Sequence, residues 1–375
     1  MNTDRMTQSF MELVGVASVS RHEGVFHDVL KKKLIDLGLE LNEDSSRTQT
    51  GLGGNNLVFT LKGNCEGTPL FFSAHTDTVQ PGEGIVPILD QGIITSQGHT
   101  ILGADDKAGI AIIIELIQTI QEEHLPHPTL EFVFTPGEEI GLVGASALDM
   151  STIHAHYGIV LDSDGPVGGI TCASPTLITL ETEITGKSAH AGLEPEKGIS
   201  AIKVLAEIIS QIKMGRLDEI TTVNVGVIKG GSATNVVAEK ATMKAEVRSI
   251  DHQVCLNEIA SITQIIDAVT TQYGAHHHTT TQQLSTGYRF TQTMPFIGVI
   301  DQAIKANRCM SRYVISGGGS DANVFNAHGK QCVNIAIGYE KIHTVDEMIP
   351  VSQMETCVGV CLDIIDRMRG FKDES

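Results

Sequence analysis

The stretch FFSAHTDTV, residues 71–79, runs four small or apolar residues into a histidine, a threonine and an aspartate. Its first half reads as a buried β-strand, whereas His75 and Asp77 bury badly unless something pairs with them. Several other segments end in the same way. Before it, MTQSFMELVGV and EGVFHDVLKKKLIDLG read as amphipathic helices and NNLVFTLKG as a strand; after it, KAGIAIIIELIQTIQEEH reads as a long helix with an Ile-rich face. TLEFVFTPGEE and HYGIVLDSDG follow as strands that end in acidic residues. Alternating helix and strand of this kind predicts an α/β layer with an open sheet.

The pattern changes after about residue 174. TLITLETEITGK, GISAIKVLAEIISQIKM, TTVNVGVIKGG, NVVAEKATMKAEVRS, HQVCLNEIASITQIIDAVTTQYG and HHHTTTQQLS give the order βαββαβ, a ferredoxin-like arrangement over residues 175–285. The α/β rhythm returns from about residue 286 with helix TMPFIGVIDQAIKAN, the glycine turn of SGGGSDANVF, strand QCVNIAIG and a C-terminal helix. The expectation is a discontinuous first domain, residues 1–174 and 286–375, with a second domain spliced into it. In the His276–His278 tract successive residues of a strand point to alternating faces, which favours a surface segment over a metal site.

A chain of 375 residues exceeds what one core supports, and 41% hydrophobic with 19% charged residues indicates a folded protein. The formal charge of -19 argues against nucleic acid or an anionic membrane as partner. The N-terminus MNTDRMTQSFMELVGV lacks a basic start and an apolar core, and the longest apolar run, AGIAIIIELI, is too short to span a bilayer. Seven scattered cysteines without a C-x-x-C pair point to neither a disulfide framework nor a cysteine zinc site. A soluble cytoplasmic protein is expected.

His75 and Asp77, Glu138 and Glu139, Asp162 and Asp164, and His343 with Asp346 all lie just past predicted strands; Asp105 and Asp106 join them from the glycine-bounded loop LGADDKAG. The carboxyl edge of an open α/β sheet is where ligands bind. So many carboxylates in one place would repel and shift their pKa values, unless two divalent cations supplied the counter-charge. Two imidazoles plus carboxylates suit zinc, with cobalt or manganese also admitted, and a bridging carboxylate holds two ions about 3.5 to 4 Å apart. His75 would then give its lone pair to a metal while Asp77 orients the ring. Adjacent carboxylates in an extended segment do not both face one metal. Glu138 is therefore assigned as the unligated general base and Glu139 as a ligand, although the spacing alone leaves their order open.

SAHTDTV, GADDKAG, TPGEEIGLVGA, LDSDG, GKSAHAG, GGSATNVV and IHTVDE together resemble the M20 metallopeptidase family, and more closely its peptidase T-like, tripeptide aminopeptidase-like branch. The resemblance spans nearly the whole chain, including the inserted domain. It implies a zinc-exopeptidase-like catalytic domain with an inserted lid or dimerisation domain, and a dinuclear zinc centre with His75 on one ion, Asp105 bridging, Glu139 and Asp162 on opposite ions and His343 completing it. It further implies Glu138 as base, Asp77 as the residue that orients His75, and a cis peptide from Asp105 to Asp106. Asp162 is preferred to Asp164 because it directly follows the apolar GIVL. In related enzymes the histidine corresponding to His190 reaches the active site, often that of the partner subunit, and donates to the developing oxyanion. Asn235 and Arg248 match positions that bind the substrate's peptide or carboxylate groups, with a structural salt bridge as the alternative for Arg248. Gly318 and Ser320, in the glycine turn, are candidates to cradle a substrate terminus with backbone N–H groups.

The expected function is two-metal hydrolysis of short peptides, with release of the N-terminal residue of tripeptides, by a homodimer joined through the inserted domain. An N-acyl-amino-acid amidohydrolase or a carboxypeptidase would use the same machinery, and fold and metal site do not separate them. A non-catalytic metal- or peptide-binding protein is the reading from another class; every expected metal and base position is filled, which speaks against it.

Overall fold

The computed structural model describes residues 1–372. The chain divides into two compact units: Met1–Cys172 with Phe290–Ser316 and the described residues from Ser320 onward, and Ala173–Arg289 with Gly317–Gly319. The second unit includes residues 286–289 and Gly317–Gly319, where the sequence places everything after residue 285 in the first domain. Hydrogen bonds tie the glycines to it: Arg248 Nη1 donates to Gly317 O and Ser174 Oγ to Gly318 O, each at 2.8 Å.

In the first unit four strands run parallel, side by side in the order Leu130–Thr135, Leu70–His75, Tyr157–Ser163 and Gln331–Ala336. Leu70–His75 and Leu130–Thr135 are buried at every position, which is what a parallel strand covered on both faces requires. His75 pairs with Thr135 and Ser163 with Ala336, so adjacent strands finish at one edge. Leu57–Leu61 and Glu40–Glu43 extend the sheet on one side and Gly169–Ser174 on the other, all antiparallel. Phe72 and Phe132 stack on neighbouring strands at 6.1 Å, and full burial of such side chains stabilises by roughly 1.5–3 kcal/mol each.

Helix Ala104–Glu122 covers one face with Ile110, Ile112, Ile113, Leu116 and Ile117, and packs against helices Thr3–Val14 and Val351–Met368. Its first residues depart from helical geometry: Asp105 has φ -82° and ψ 101°, Asp106 φ -122° and ψ 31°, and the peptide between them is cis. A close approach follows at Gly109, where a Cβ would lie 2.4 Å from Asp106 Oδ1 and 2.6 Å from Leu161 O. Only glycine lets the helix come that near the strand that delivers Asp162.

The second unit is an antiparallel sheet in the order Gly215–Arg216, Thr221–Gly230, Lys240–Ser249, Thr176–Thr185, His276–Ser285. Along Lys240–Ser249, Ala241, Met243, Ala245 and Val247 are buried while the residues between them are not, the alternation of a sheet covered on one side. Helices Ala201–Gln211 and His252–Tyr273 provide that cover, with Val204, Ile208, Ile262 and Ile266 packed onto Ile178, Leu180 and Met243. This is the ferredoxin-like order, with one short extra strand. His277 is half-buried and pairs with Asp267 at 2.8 Å, while His276 and His278 are exposed.

Some elements had no sequence signal. Glu40–Glu43, Arg312–Ile315 and the small sheet of Pro87–Asp90, Ile93–Ser96 and Met348–Pro350 are only three or four residues each, too short for an apolar pattern, so backbone pairing defines them. No helix among the described residues is long and apolar enough to cross a membrane.

Candidate metal centre

His75 is the last residue of its strand and is 2% exposed. Its Nδ1 lies 2.9 Å from the carbonyl oxygen of Asp77, an acceptor, so Nδ1 carries a proton and Nε2 faces outward. That Nε2 lies 2.9 Å from Asp105 Oδ1 and 3.7 Å from Asp162 Oδ1. The other oxygen of Asp105, Oδ2, is 3.2 Å from His343 Nε2, which is also 3.0 Å from Glu139 Oε1. Asp105 thus stands between two imidazoles with one oxygen for each.

The carboxylate of Asp77 faces both the His75 ring and the turn that carries the glutamates. It lies 3.5 Å from His75 Nδ1, and the shorter contact to the ring comes from the backbone carbonyl. It also accepts from Ser20 Oγ at 2.6 Å, Glu138 N–H at 2.9 Å and Glu139 N–H at 3.3 Å. Asp77 therefore sets the turn that presents the two glutamates. Asp162 is held by two residues with no signal of their own in the sequence. Tyr339 donates its hydroxyl to Asp162 Oδ1 at 2.9 Å, and the side-chain amide of Asn334 pairs with both backbone groups of Asp162, its Oδ1 3.0 Å from Asp162 N. Asn334 does so where the pairing of the two strands slips, substituting side-chain for main-chain bonds. Asp164 is exposed and outside the cluster, as is Asp346.

Asp106 carried no assigned role. Its buried carboxylate accepts from His75 N–H at 3.1 Å and Gly109 N–H at 3.2 Å, tying the helix start to the strand end. Asp321 is a further buried carboxylate. It accepts the hydroxyl of Thr135, three residues before Glu138, and burial pushes its carboxyl up to about 6.

Burial and mutual charge shape the electrostatics of the cluster. Burial first, then neighbouring negative charge, pushes Asp162 and Glu138 well above the carboxylate range. Asp105 is held below its ordinary value in spite of burial, because His343 and His75 hydrogen-bond to it. Burial would lower His75, but Asp105, Asp162 and Asp77 outweigh it and raise it. Hydrogen bonds to Asp105 and Glu139 push His343 up to about 10. Carboxylates crowded in this way need positive counter-charge, which divalent cations would supply. One potential ligand atom each from His75, Asp105 and Glu139 lie within 4.8 Å of one another, as do those of His75, Asp106 and Asp162. Nitrogen and oxygen donors in this mixture fit zinc or a neighbouring divalent metal.

The remaining predicted residues belong to the second unit, except Ser320. His190 is exposed, and its Nδ1 accepts from Gly192 N–H at 3.1 Å, which puts the proton of the neutral ring on Nε2. Asn235 is exposed beside it: His190 bridges to Val236, and Ala191 N–H donates to Asn235 O at 3.0 Å. Arg248 makes a two-pronged pair with Glu246, at 3.0 and 3.1 Å, besides its bond to Gly317 O. Gly318 accepts from Ser174 through its carbonyl. Ser320 caps helix Asp321–Ala327, its N–H donating to Asn323 Oδ1 at 3.0 Å.

Comparison with known proteins divides the chain much as the two units do. Residues 56–169 match peptidase family M28 and residues 173–274 match the peptidase dimerisation domain of the M20 peptidases. The crystal structure of the aminopeptidase PepT from Bacillus cereus ATCC 10987 is 41% identical, with 98% of this chain and 99% of that one covered at a TM-score of 0.94. A tripeptidase from Staphylococcus aureus subsp. aureus Mu50 is 36% identical, with 99% and 100% covered and a TM-score of 0.95. Peptidase T of Clostridium perfringens (strain SM101 / Type A) is 31% identical over 286 residues, 73% of this chain and 68% of that protein.

Proposed function

The chain belongs to the M20 metallopeptidases, in their peptidase T-like branch, and from that premise we propose that it is a two-metal exopeptidase that removes the N-terminal residue from tripeptides. The observation that carries the reading is Asp105, with one carboxylate oxygen 2.9 Å from His75 Nε2 and the other 3.2 Å from His343 Nε2. His75 and Asp162 would hold one zinc ion, Glu139 and His343 the other, and Asp105 would serve both. When bound, such ions polarise a water molecule and the scissile carbonyl.

The protein's own groups do the rest. Glu138 is carried on the turn that Asp77 holds, and its carboxylate takes the proton from the attacking water and passes it to the leaving amine. Burial is the main cause that raises the proton affinity of this carboxyl above that of an exposed glutamate. As the carbonyl carbon becomes tetrahedral its oxygen gains negative charge. His190, with its proton on Nε2, is a suitable donor to that oxygen, from a second copy of the chain joined through residues 173–274. Arg248, Asn235 and the turn of Gly318 and Ser320 are offered for the substrate's carboxylate and peptide groups; for Arg248 this requires exchange with its present partner Glu246. Seven free cysteines fit a reducing, cytoplasmic setting.

Mass-spectrometric analysis of products from zinc- or cobalt-loaded protein, incubated with dipeptides, tripeptides, longer peptides and N-acyl amino acids, tests this. Release of the N-terminal residue from tripeptides is expected. Cleavage confined to N-acyl amino acids, or release from the C-terminus, would overturn it.

A further inference from the structure

Glu347 lies four residues beyond His343 and is 1% exposed. A carboxylate that deep needs partners. Its partners are all main-chain amides of one loop: Oε2 accepts from Leu102 N–H and Gly103 N–H, each at 2.8 Å, and Oε1 from Asp105 N–H at 3.0 Å. These amides open helix Ala104–Glu122, where the first N–H groups have no partner inside the helix. Gly103 has φ +73°, so the chain turns sharply there with no side chain of its own to cap the start.

The segment 343–347 therefore grips Asp105 twice. At its beginning, His343 Nε2 stands 3.2 Å from the Asp105 carboxylate; at its end, the Glu347 carboxylate takes the Asp105 amide. A carboxylate that must present one oxygen to His75 and the other to His343 tolerates displacement of only about 0.5 Å. The direction of so short a side chain follows its backbone. We propose that Glu347 is a positioning residue of the metal centre: it fixes the main chain at Asp105 so that both carboxylate oxygens are aimed, and couples the loop of Asp105 to the loop of His343. The proposal rests on the two-metal reading above.

Glu347→Gln keeps size but replaces one accepting oxygen with an NH2 group, which would face an N–H donor. Metal-free wild type and variant are titrated with zinc against a chromophoric chelator, and tripeptide hydrolysis is followed after zinc loading. The expected result is a loss of about 10–100-fold in affinity at one of the two sites, and a fall in kcat with KM held within about twofold. Affinities and kcat equal to wild type would overturn the proposal, as would a loss that merely follows the unfolded fraction seen by circular dichroism. Hydrogen exchange in metal-free wild type is independent of how the variant folds: the amides of Leu102, Gly103 and Asp105 are expected to be protected, and exchange at the rate of exposed loop amides would sink the idea. A wild type that binds fewer than two zinc ions would instead overturn the two-metal reading beneath it.

Discussion

The carboxyl edge of the first unit's sheet and the predicted substrate residues of the second unit are built on opposite terms. At the sheet edge Asp77 is fully buried and accepts three hydrogen bonds, Asp105 lies between two imidazoles, and Asp162 is held by Tyr339 and Asn334. In the second unit His190 and Asn235 are exposed, and Arg248 is half-buried with Glu246 as its ion-pair partner. Buried polar groups are costly to leave unmet, so each is fixed by neighbours that share the cost, whereas exposed groups are held by little and can exchange partners. The groups proposed for chemistry are therefore held by many neighbours, half-exposed His343 apart, and those proposed for recognition by few.

The largest effect is expected where the contrast is sharpest. Glu138→Gln removes the proton acceptor but keeps the turn that Asp77 holds, so kcat should fall by about 10^2–10^4-fold with zinc affinity retained. Full activity in a zinc-loaded variant would break the assignment of base and ligand between Glu138 and Glu139.

Arg248→Ala probes the other side. Its pair with Glu246 is partly exposed and such pairs contribute about 0–1 kcal/mol, so the thermal midpoint should barely move. Loss of a charge-assisted contact to substrate of about 1.5–3 kcal/mol would raise KM by about 10–150-fold for peptides with a free carboxylate, and much less for their amides. A variant that loses stability and keeps its KM would make Arg248 a structural residue, and the contrast between the two regions would weaken.

The smallest effect is a pH dependence of the metal-free protein. His343 is raised from its ordinary value near 6.5 to about 10, so what it contributes to stability is fully present below pH 6.5 and is lost as pH rises through about 10. Thermal midpoints of chelator-treated protein should decline across that window, and His343→Ala should flatten the decline. Saturating zinc should also suppress it, since the metal occupies the nitrogen that would otherwise carry the proton. An unchanged slope in the variant would show that His343 does not carry the effect.

Sequence reading reached the strand ends because a strand that finishes in His or Asp is a local anomaly. His75 after FFSA, Asp162 after GIVL and the acidic pair after TLEFVFTPG all announce themselves within a few residues. Glu347 was visible only as the last residue of IHTVDE and its role was not legible, because the amides its carboxylate holds lie 242 to 245 residues away in the chain. Tyr339 and Asn334 were silent for the same reason, 177 and 172 residues from Asp162. With Asp77 the type of residue was legible and the full extent of its bonding was not: its backbone carbonyl also meets the His75 ring, and its carboxylate also holds the glutamate turn. Nor is it visible in composition that Gly317 and Gly318 accept hydrogen bonds from Arg248 and Ser174 of the second unit.

What the sequence determined by itself was the periodicity: buried strands of an α/β layer ending in ligand-type residues, a spliced βαββαβ segment, and the set of motifs that marks an M20 peptidase. Periodicity is a property of neighbours along the chain, and the hydrophobic effect reads it without regard to partners. Tertiary structure alone decided which polar atoms satisfy which. A hydrogen bond is directional and short, so its partner is chosen by where the folded backbone arrives and not by the spacing of residues along it.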